Sequence, residues 1–164
     1  MADKLNLNRS YFFLVNTIAG YEDYMATKGK EKLEYVYTFR MDGSNKDHKM
    51  HFKMYDDHRK YFQVFVPKEI VSKLNEDRES SERILTTIQD SMNNFCNVEN
   101  IDLGKDDVRS VRVNLKHDDN EKRKKLFEIF YDQIKVPGGF KKEKIDWRYA
   151  QEVQIIFTKK SRWD

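Results

Sequence analysis

The chain of 164 residues contains few of the residues that break regular secondary structure or crosslink a fold: one cysteine, two prolines and six glycines. A single cysteine excludes an intramolecular disulfide and a CxxC metal knuckle. Few glycines and prolines argue against long flexible linkers. Cys96 follows Phe95 in an apolar pattern at helical spacing, so we predict a small core residue rather than a nucleophile. These features predict one domain, residues 1–164.

Long hydrophobic runs are also missing. No stretch approaches the roughly 18 apolar residues of a membrane helix, and the first residues, MADKLNLNRS, lack the apolar core of a signal peptide. We therefore expect a cytoplasmic protein with no membrane partner. The chain is 36% charged, which predicts a well-solvated surface, and its 38% apolar and 13% aromatic residues are sufficient for a core.

Period-two alternation predicts a four-stranded antiparallel meander in the N-terminal part. The first segment, YFFLV, predicts a buried strand. In the other three, large apolar residues occupy one face and polar or charged residues mostly the other, which is typical of strands with one buried face. The dipeptide Asp42-Gly43 predicts a hairpin turn. The four segments are 11–15, 34–41, 50–55 and 61–66.

Helical spacing follows the meander. Pro67 is suited to opening a first helix, and an apolar stripe from Ile84 to Phe95 predicts a second. A strand at 111–115, a third helix that carries Phe130 and ends before the turn VPGGF, and one long last strand at 147–158 complete the order β-β-β-β-α-α-β-α-β. The sequence thus predicts an α+β fold, with a mainly antiparallel sheet of about five to six strands packed on two to three helices.

Two histidines near the third strand raise the question of a metal site. His48 and His51 are three residues apart, so in a continuous strand they lie on opposite faces. No HExxH, Cys/His cluster or EF-hand spacing supports a metal, and no GxSxG, GxGxxG or P-loop is present. We expect neither a metal nor another cofactor.

The distribution of charge favours a polyanion partner. Residues 110–164 hold 14 of the 31 Lys and Arg but only 9 of the 28 Asp and Glu. The main hypothesis is a non-catalytic protein that binds DNA or RNA through phosphates, although no RNP, KH, zinc-finger or homeodomain pattern appears. Lys53, Tyr55 and Tyr61 would contact nucleic acid on a sheet face. The predicted phosphate ligands are Lys122, Arg123, Lys124, Lys125, Lys141, Lys142, Lys159, Lys160 and Arg162.

Two other functions stay open. A protein-binding inhibitor or adaptor, for instance of a bacterial or phage defence or anti-defence system, is consistent with abundant Tyr, Phe, Met and Arg, and Tyr21, Tyr24 and Met25 could form an exposed patch. A metal-dependent nuclease would use Asp146, placed just ahead of Glu152 at the same last strand. In that alternative Gln154 stands where nucleases of the Glu-x-Lys type carry lysine. An enzyme is the less expected outcome.

Overall fold

A computed structural model describes residues 10–18, 31–41, 45–55, 61–74, 78–99, 108–116, 128, 130–149 and 152–159. They form an α+β fold with a seven-stranded sheet. No helix in these ranges is long and apolar enough to cross a membrane. The strands are β1 (Phe13–Ile18), β2 (Glu31–Phe39), β3 (His48–Tyr55), β4 (Tyr61–Val66), β5 (Ser110–Lys116), β6 (Phe140–Tyr149) and β7 (Glu152–Lys159). The helices are α1 (Lys68–Lys73), α2 (Arg78–Val98) and α3, described at 128 and 130–133.

The strand order is β1-β2-β3-β4-β5-β7-β6. The predicted meander of the first four strands is confirmed, since each pairs antiparallel with the next. The expectation of about five to six strands is too low, because the described residues form seven. The sheet is also mixed: β4 and β5 pair in parallel. A parallel pair needs a crossover connection, and α1 and α2 lie in that connection.

The additional strand comes from splitting the predicted last strand. The residues assigned to one strand, 147–158, form the end of β6 and all of β7 except Lys159. The two strands are an antiparallel hairpin in which Tyr149 pairs with Glu152. Only Ala150 and Gln151 separate the two, and neither is one of the Gly, Asn or Asp residues that usually mark a tight hairpin. β6 begins at Phe140, the last residue of the predicted VPGGF turn, in which Gly138 and Gly139 adopt positive φ angles of 101° and 86°.

The first strand is an edge strand rather than the predicted buried one. Only β2 pairs with it among the described strands. Phe13 packs on Tyr37, with ring centroids 5.6 Å apart, but Leu14 is 58% and Val15 38% exposed, and the preceding Phe12 is 83% exposed. An apolar run therefore identified the strand correctly and its burial incorrectly.

The core lies between α2 and one face of the sheet. Phe95 of α2 is its aromatic centre, with ring centroids 5.2 Å from Tyr35, 5.2 Å from Phe52 and 4.8 Å from Phe62. The predicted stripe from Ile84 to Phe95 is buried in this core. Cys96 is buried beside it, as predicted. The aromatic residues of three neighbouring strands thus meet on one helix.

Hydrogen bonds tie α2 to other elements. The hydroxyl of Tyr37 donates to Asn94 Oδ1 at 2.7 Å, and that of Tyr35 donates to Glu99 Oε2 at 2.9 Å. Burial and the Glu99 carboxylate raise the pKa of Tyr35 to about 12, so its hydroxyl stays a donor. Gln89 Nε2 donates to the carbonyl oxygen of Lys135 at 2.8 Å. The helix is therefore fixed to β2 and to the segment that leads into β6.

Replacement of Phe95 by alanine tests this arrangement. Loss of a fully buried phenylalanine leaves a cavity, so we expect Phe95→Ala to lower the free energy of unfolding by about 3–5 kcal/mol. Val98→Ala is the control, because Val98 is half exposed on the same helix and should change stability by less than about 0.5 kcal/mol. Urea denaturation of both variants measures the difference, and equal stabilities would contradict the packing.

The first residue of β3, His48, lies on the core side of the sheet. It is buried opposite Phe39, with ring centroids 6.2 Å apart. Its Nε2 has no hydrogen-bond partner within the described ranges. Burial is the main cause that lowers the pKa of His48 below its ordinary value of 6.5. The folded state therefore holds the ring neutral where the unfolded chain would protonate it.

This burial predicts a specific pH dependence of stability. Because the folded pKa is the lower one, the unfolded state binds more protons, and stability is lost as the pH falls below the unfolded value of about 6.5. His48→Leu removes this titration, so its unfolding free energy should fall less between pH 7 and pH 5 than that of the wild type. Denaturant curves across that range measure both slopes. Identical slopes would show that His48 does not contribute.

Candidate functional site

The side of the sheet that faces away from the α2 core is the candidate site, and we call it the open face. Alternate residues of β3 and β4 lie on it half exposed, while those between them are buried. Val36 of β2 lies on this side, and although buried it does not belong to the core cluster. The residues used below are Glu34, His51, Lys53, Tyr55, Tyr61, Gln63, Phe65, Arg112, Asn114, Glu152 and Gln154.

Aromatic rings and cations contact one another across three neighbouring strands. Tyr55 of β3 stacks on Tyr61 of β4, with centroids 4.8 Å apart and planes 15° apart. The guanidinium of Arg112 in β5 lies 4.4 Å from the Tyr61 centroid, and Lys53 Nζ lies 5.7 Å from the ring of Phe65. Such contacts hold the cations against the π faces. The predicted group of Lys53, Tyr55 and Tyr61 therefore shares one surface, to which the structure adds Arg112.

A polar network occupies the middle of the open face. Asn114 Oδ1 accepts from Gln63 Nε2 at 2.6 Å and from Gln154 Nε2 at 3.0 Å, and Asn114 Nδ2 donates to Glu152 Oε1 at 2.5 Å. Asn114 and Gln154 are buried. One amide thus joins side chains of β4, β5 and β7. A buried polar group without a hydrogen-bond partner lowers the stability of the fold. This network therefore holds β4, β5 and β7 together at the parallel pair of the sheet.

Asn114→Asp is a nearly isosteric test of the network. The new carboxylate would oppose that of Glu152 and could not donate to it, so we expect a loss of at least about 1–3 kcal/mol of stability at pH 7. Protonation of one carboxylate restores a donor, so part of the loss should be recovered as the pH falls towards 5. Ser110→Asp, at a half-exposed position of the same strand, is the control. A pH-independent loss would contradict the assigned hydrogen bond.

The two histidines lie on opposite faces, as their spacing predicted. His51 is on the open face, where its Nδ1 lies 2.6 Å from Glu34 Oε1, whereas His48 points to the core. They therefore do not share a ligand. Across the described ranges, no three His, Cys, Asp or Glu side chains are grouped as a metal site would require.

The predicted lysines near the C-terminus are divided between the two sides of the sheet. Lys141 is exposed and pairs with Thr158, on the open side. Lys142 lies 5.0 Å from the ring of Tyr131, and burial lowers the pKa of Lys142. Lys159 lies 6.0 Å from the ring of Phe140, which packs against the core. Of these three, the structure places only Lys141 on the side of Tyr55 and Tyr61.

Several predicted residues lie outside the described ranges. They remain predictions about phosphate contacts or, for the tyrosines and methionine, about a protein-binding patch. They are Lys122, Arg123, Lys124, Lys125, Lys160 and Arg162, together with Tyr21, Tyr24 and Met25.

The nuclease alternative placed Asp146 and Glu152 at the same strand, and the structure corrects this. Asp146 belongs to β6 and pairs with Gln154 of β7, whereas Glu152 begins β7. The acids are thus on neighbouring strands. Glu152 accepts a hydrogen bond from Asn114, which gives its carboxylate a structural partner.

Arg112 and Asn114 were not identified as site residues from the sequence. Their alternation with Val111, Val113 and Leu115 indicated a second face for β5, but not which strand lies beside it. The parallel register pairs Tyr61 with Ser110 and Gln63 with Arg112, and that register brings Arg112 to Tyr61. Topology, rather than local pattern, was the missing information.

Comparisons with known proteins found no relative: no protein-family model matches the chain, and no curated protein or solved structure is significantly similar to it.

Proposed function

We propose that the protein binds single-stranded nucleic acid on the open face without catalysing a reaction on it. The observation that supports this is the continuous row of Arg112, Tyr61 and Tyr55, with Lys53 over Phe65 beside it. Aromatic rings on a sheet can stack on unpaired bases, and neighbouring cations can neutralise the phosphates between them.

The charges of the open face support an anionic ligand. Exposed Lys49 and Lys116 lie on β3 and β5, on the same side as Lys53 and Arg112. The two acids among the residues that define this face already have partners: Glu34 is paired with His51, and Glu152 accepts from Asn114. Among these described side chains, cations thus outnumber carboxylates that lack a partner. Binding of this kind releases counterions from the nucleic acid, so it weakens as the salt concentration rises.

A single strand fits the surface better than a duplex. The bases of a duplex are stacked on one another, so their faces are closed to Tyr55 and Tyr61. Unpaired bases present both a π face and a hydrogen-bonding edge. The half-exposed amide of Gln63, which lies in β4 between Tyr61 and Phe65, is placed to meet such an edge. Whether the strand is DNA or RNA is an outcome of the test.

Fluorescence anisotropy with labelled single- and double-stranded DNA and RNA tests the proposal. We expect tighter binding of single strands, weakened by salt. The double variant Tyr55→Leu, Tyr61→Leu keeps apolar packing but removes the rings, and should cost about 1–3 kcal/mol per stacked base. Arg112→Gln should reduce the slope of log K against log salt by about 0.7 if it removes one phosphate contact.

Lys135→Gln is the matched control for charge, because Lys135 is exposed and only its backbone contacts Gln89. It should bind as the wild type does. Absence of binding to all four polymers at physiological salt would refute the proposal, and a pull-down for a protein partner would follow. Cleavage on addition of magnesium that Glu152→Gln abolishes would refute the non-catalytic part.

A further inference from the structure

The two edges of the sheet differ sharply in chemistry. β6, at one edge, has the sequence FKKEKIDWRY and shows two register irregularities against β7. Charges and bulges are the usual means by which proteins prevent an edge strand from pairing with another chain. The β6 edge therefore carries the features of a protected edge.

β1, at the other edge, has none of these features. Its sequence, FLVNTI, contains no charged residue, proline or glycine, and its register against β2 is unbroken over the whole strand. Phe12, Leu14 and Val15 are three of the four large apolar residues that are exposed in the described ranges. A regular, uncharged strand with exposed apolar side chains is suited to accept another strand.

We propose that β1 pairs antiparallel with β1 of a second copy, which joins two sheets into one across a two-fold axis. Such an axis places the residues nearest to it beside their own counterparts, so a strand with charges there would bring like charges together. The neutral sequence of β1 avoids this penalty, whereas the Lys-rich β6 would incur it. The interface is isologous and therefore closed, with no tendency to extend into a fibre.

The geometry of this pairing makes Leu14 its most informative residue. Residues that pair across antiparallel strands lie on the same face, so a two-fold axis perpendicular to the sheet keeps both open faces on one side. With the axis at Leu14 or at Val15, Leu14, on the open side, meets Leu14 or Asn16 of the second copy. The paired strand has only six residues, and its contact is small beside the roughly 1,000 Å² of a stable interface. The dimer should therefore dissociate on dilution.

Sedimentation velocity over a range of concentrations tests the proposal without nucleic acid, so its result is separate from that of the binding experiments. We expect the 19.8 kDa chain to approach twice this mass as concentration rises. Leu14→Lys should remain a monomer, because it brings two cations to the axis. Val98→Lys, which changes a similarly exposed apolar residue on α2, should still dimerise. A wild type that is monomeric at every concentration, or a Leu14→Lys protein that dimerises as the wild type does, would overturn the proposal.

Site-directed crosslinking provides the second measurement. Cys96 is the only cysteine and is buried, so Leu14→Cys introduces a single accessible thiol. A short bismaleimide should crosslink Leu14→Cys into dimers and leave a Val98→Cys control monomeric. Equal crosslinking of both variants would show that association does not occur through β1. Occupation of the edge by another segment of the same chain would appear as a monomer without crosslinks and would also refute the dimer.

Discussion

The packing of α2 against one face of the sheet is the interaction on which the rest of the structure depends. Phe95 contacts aromatic residues of β2, β3 and β4, and hydrogen bonds from Tyr35 and Tyr37 fix the register of helix and strands. The same helix lies in the crossover that makes β4 and β5 parallel. Because the core is built on one face, the side chains that β3 and β4 place on the other face are half buried or exposed.

Polar side chains in the middle of the open face hydrogen-bond to one another, while the residues around them stay partly exposed. Asn114 joins three strands through one amide, and Arg112 rests on a stacked tyrosine pair. These contacts restrict the side chains before any ligand arrives, which lowers the entropy lost on binding. The arrangement is that of a preformed platform, which supports the proposed binding of an extended polymer.

Local sequence pattern was sufficient for most of the described elements but not for the β6–β7 hairpin or for the arrangement of the strands. Alternation identified β2 to β5 and their buried faces, and helical spacing identified α2. The β6–β7 hairpin was missed because Ala150 and Gln151 carry no turn signal and the apolar residues keep the same parity before and after them. The edge position of β1 and the neighbourhood of Arg112 and Tyr61 depend on strand order, which no local pattern encodes. Lys142 and Lys159 were grouped with the other lysines by sequence, yet the strand register places them on the core side of the sheet.

Nuclear magnetic resonance of the labelled protein, titrated with a single-stranded oligonucleotide, is the most direct test of the proposed binding surface. β5 serves as an internal control, because its side chains alternate between the two sides of the sheet. We predict that the Arg112 Nε–H and Gln63 amide resonances shift, and that the methyl resonances of Val113 and Leu115, buried in the core, do not. Shifts confined to the α2 side, or no shifts at all, would contradict the assignment of the open face as the binding surface.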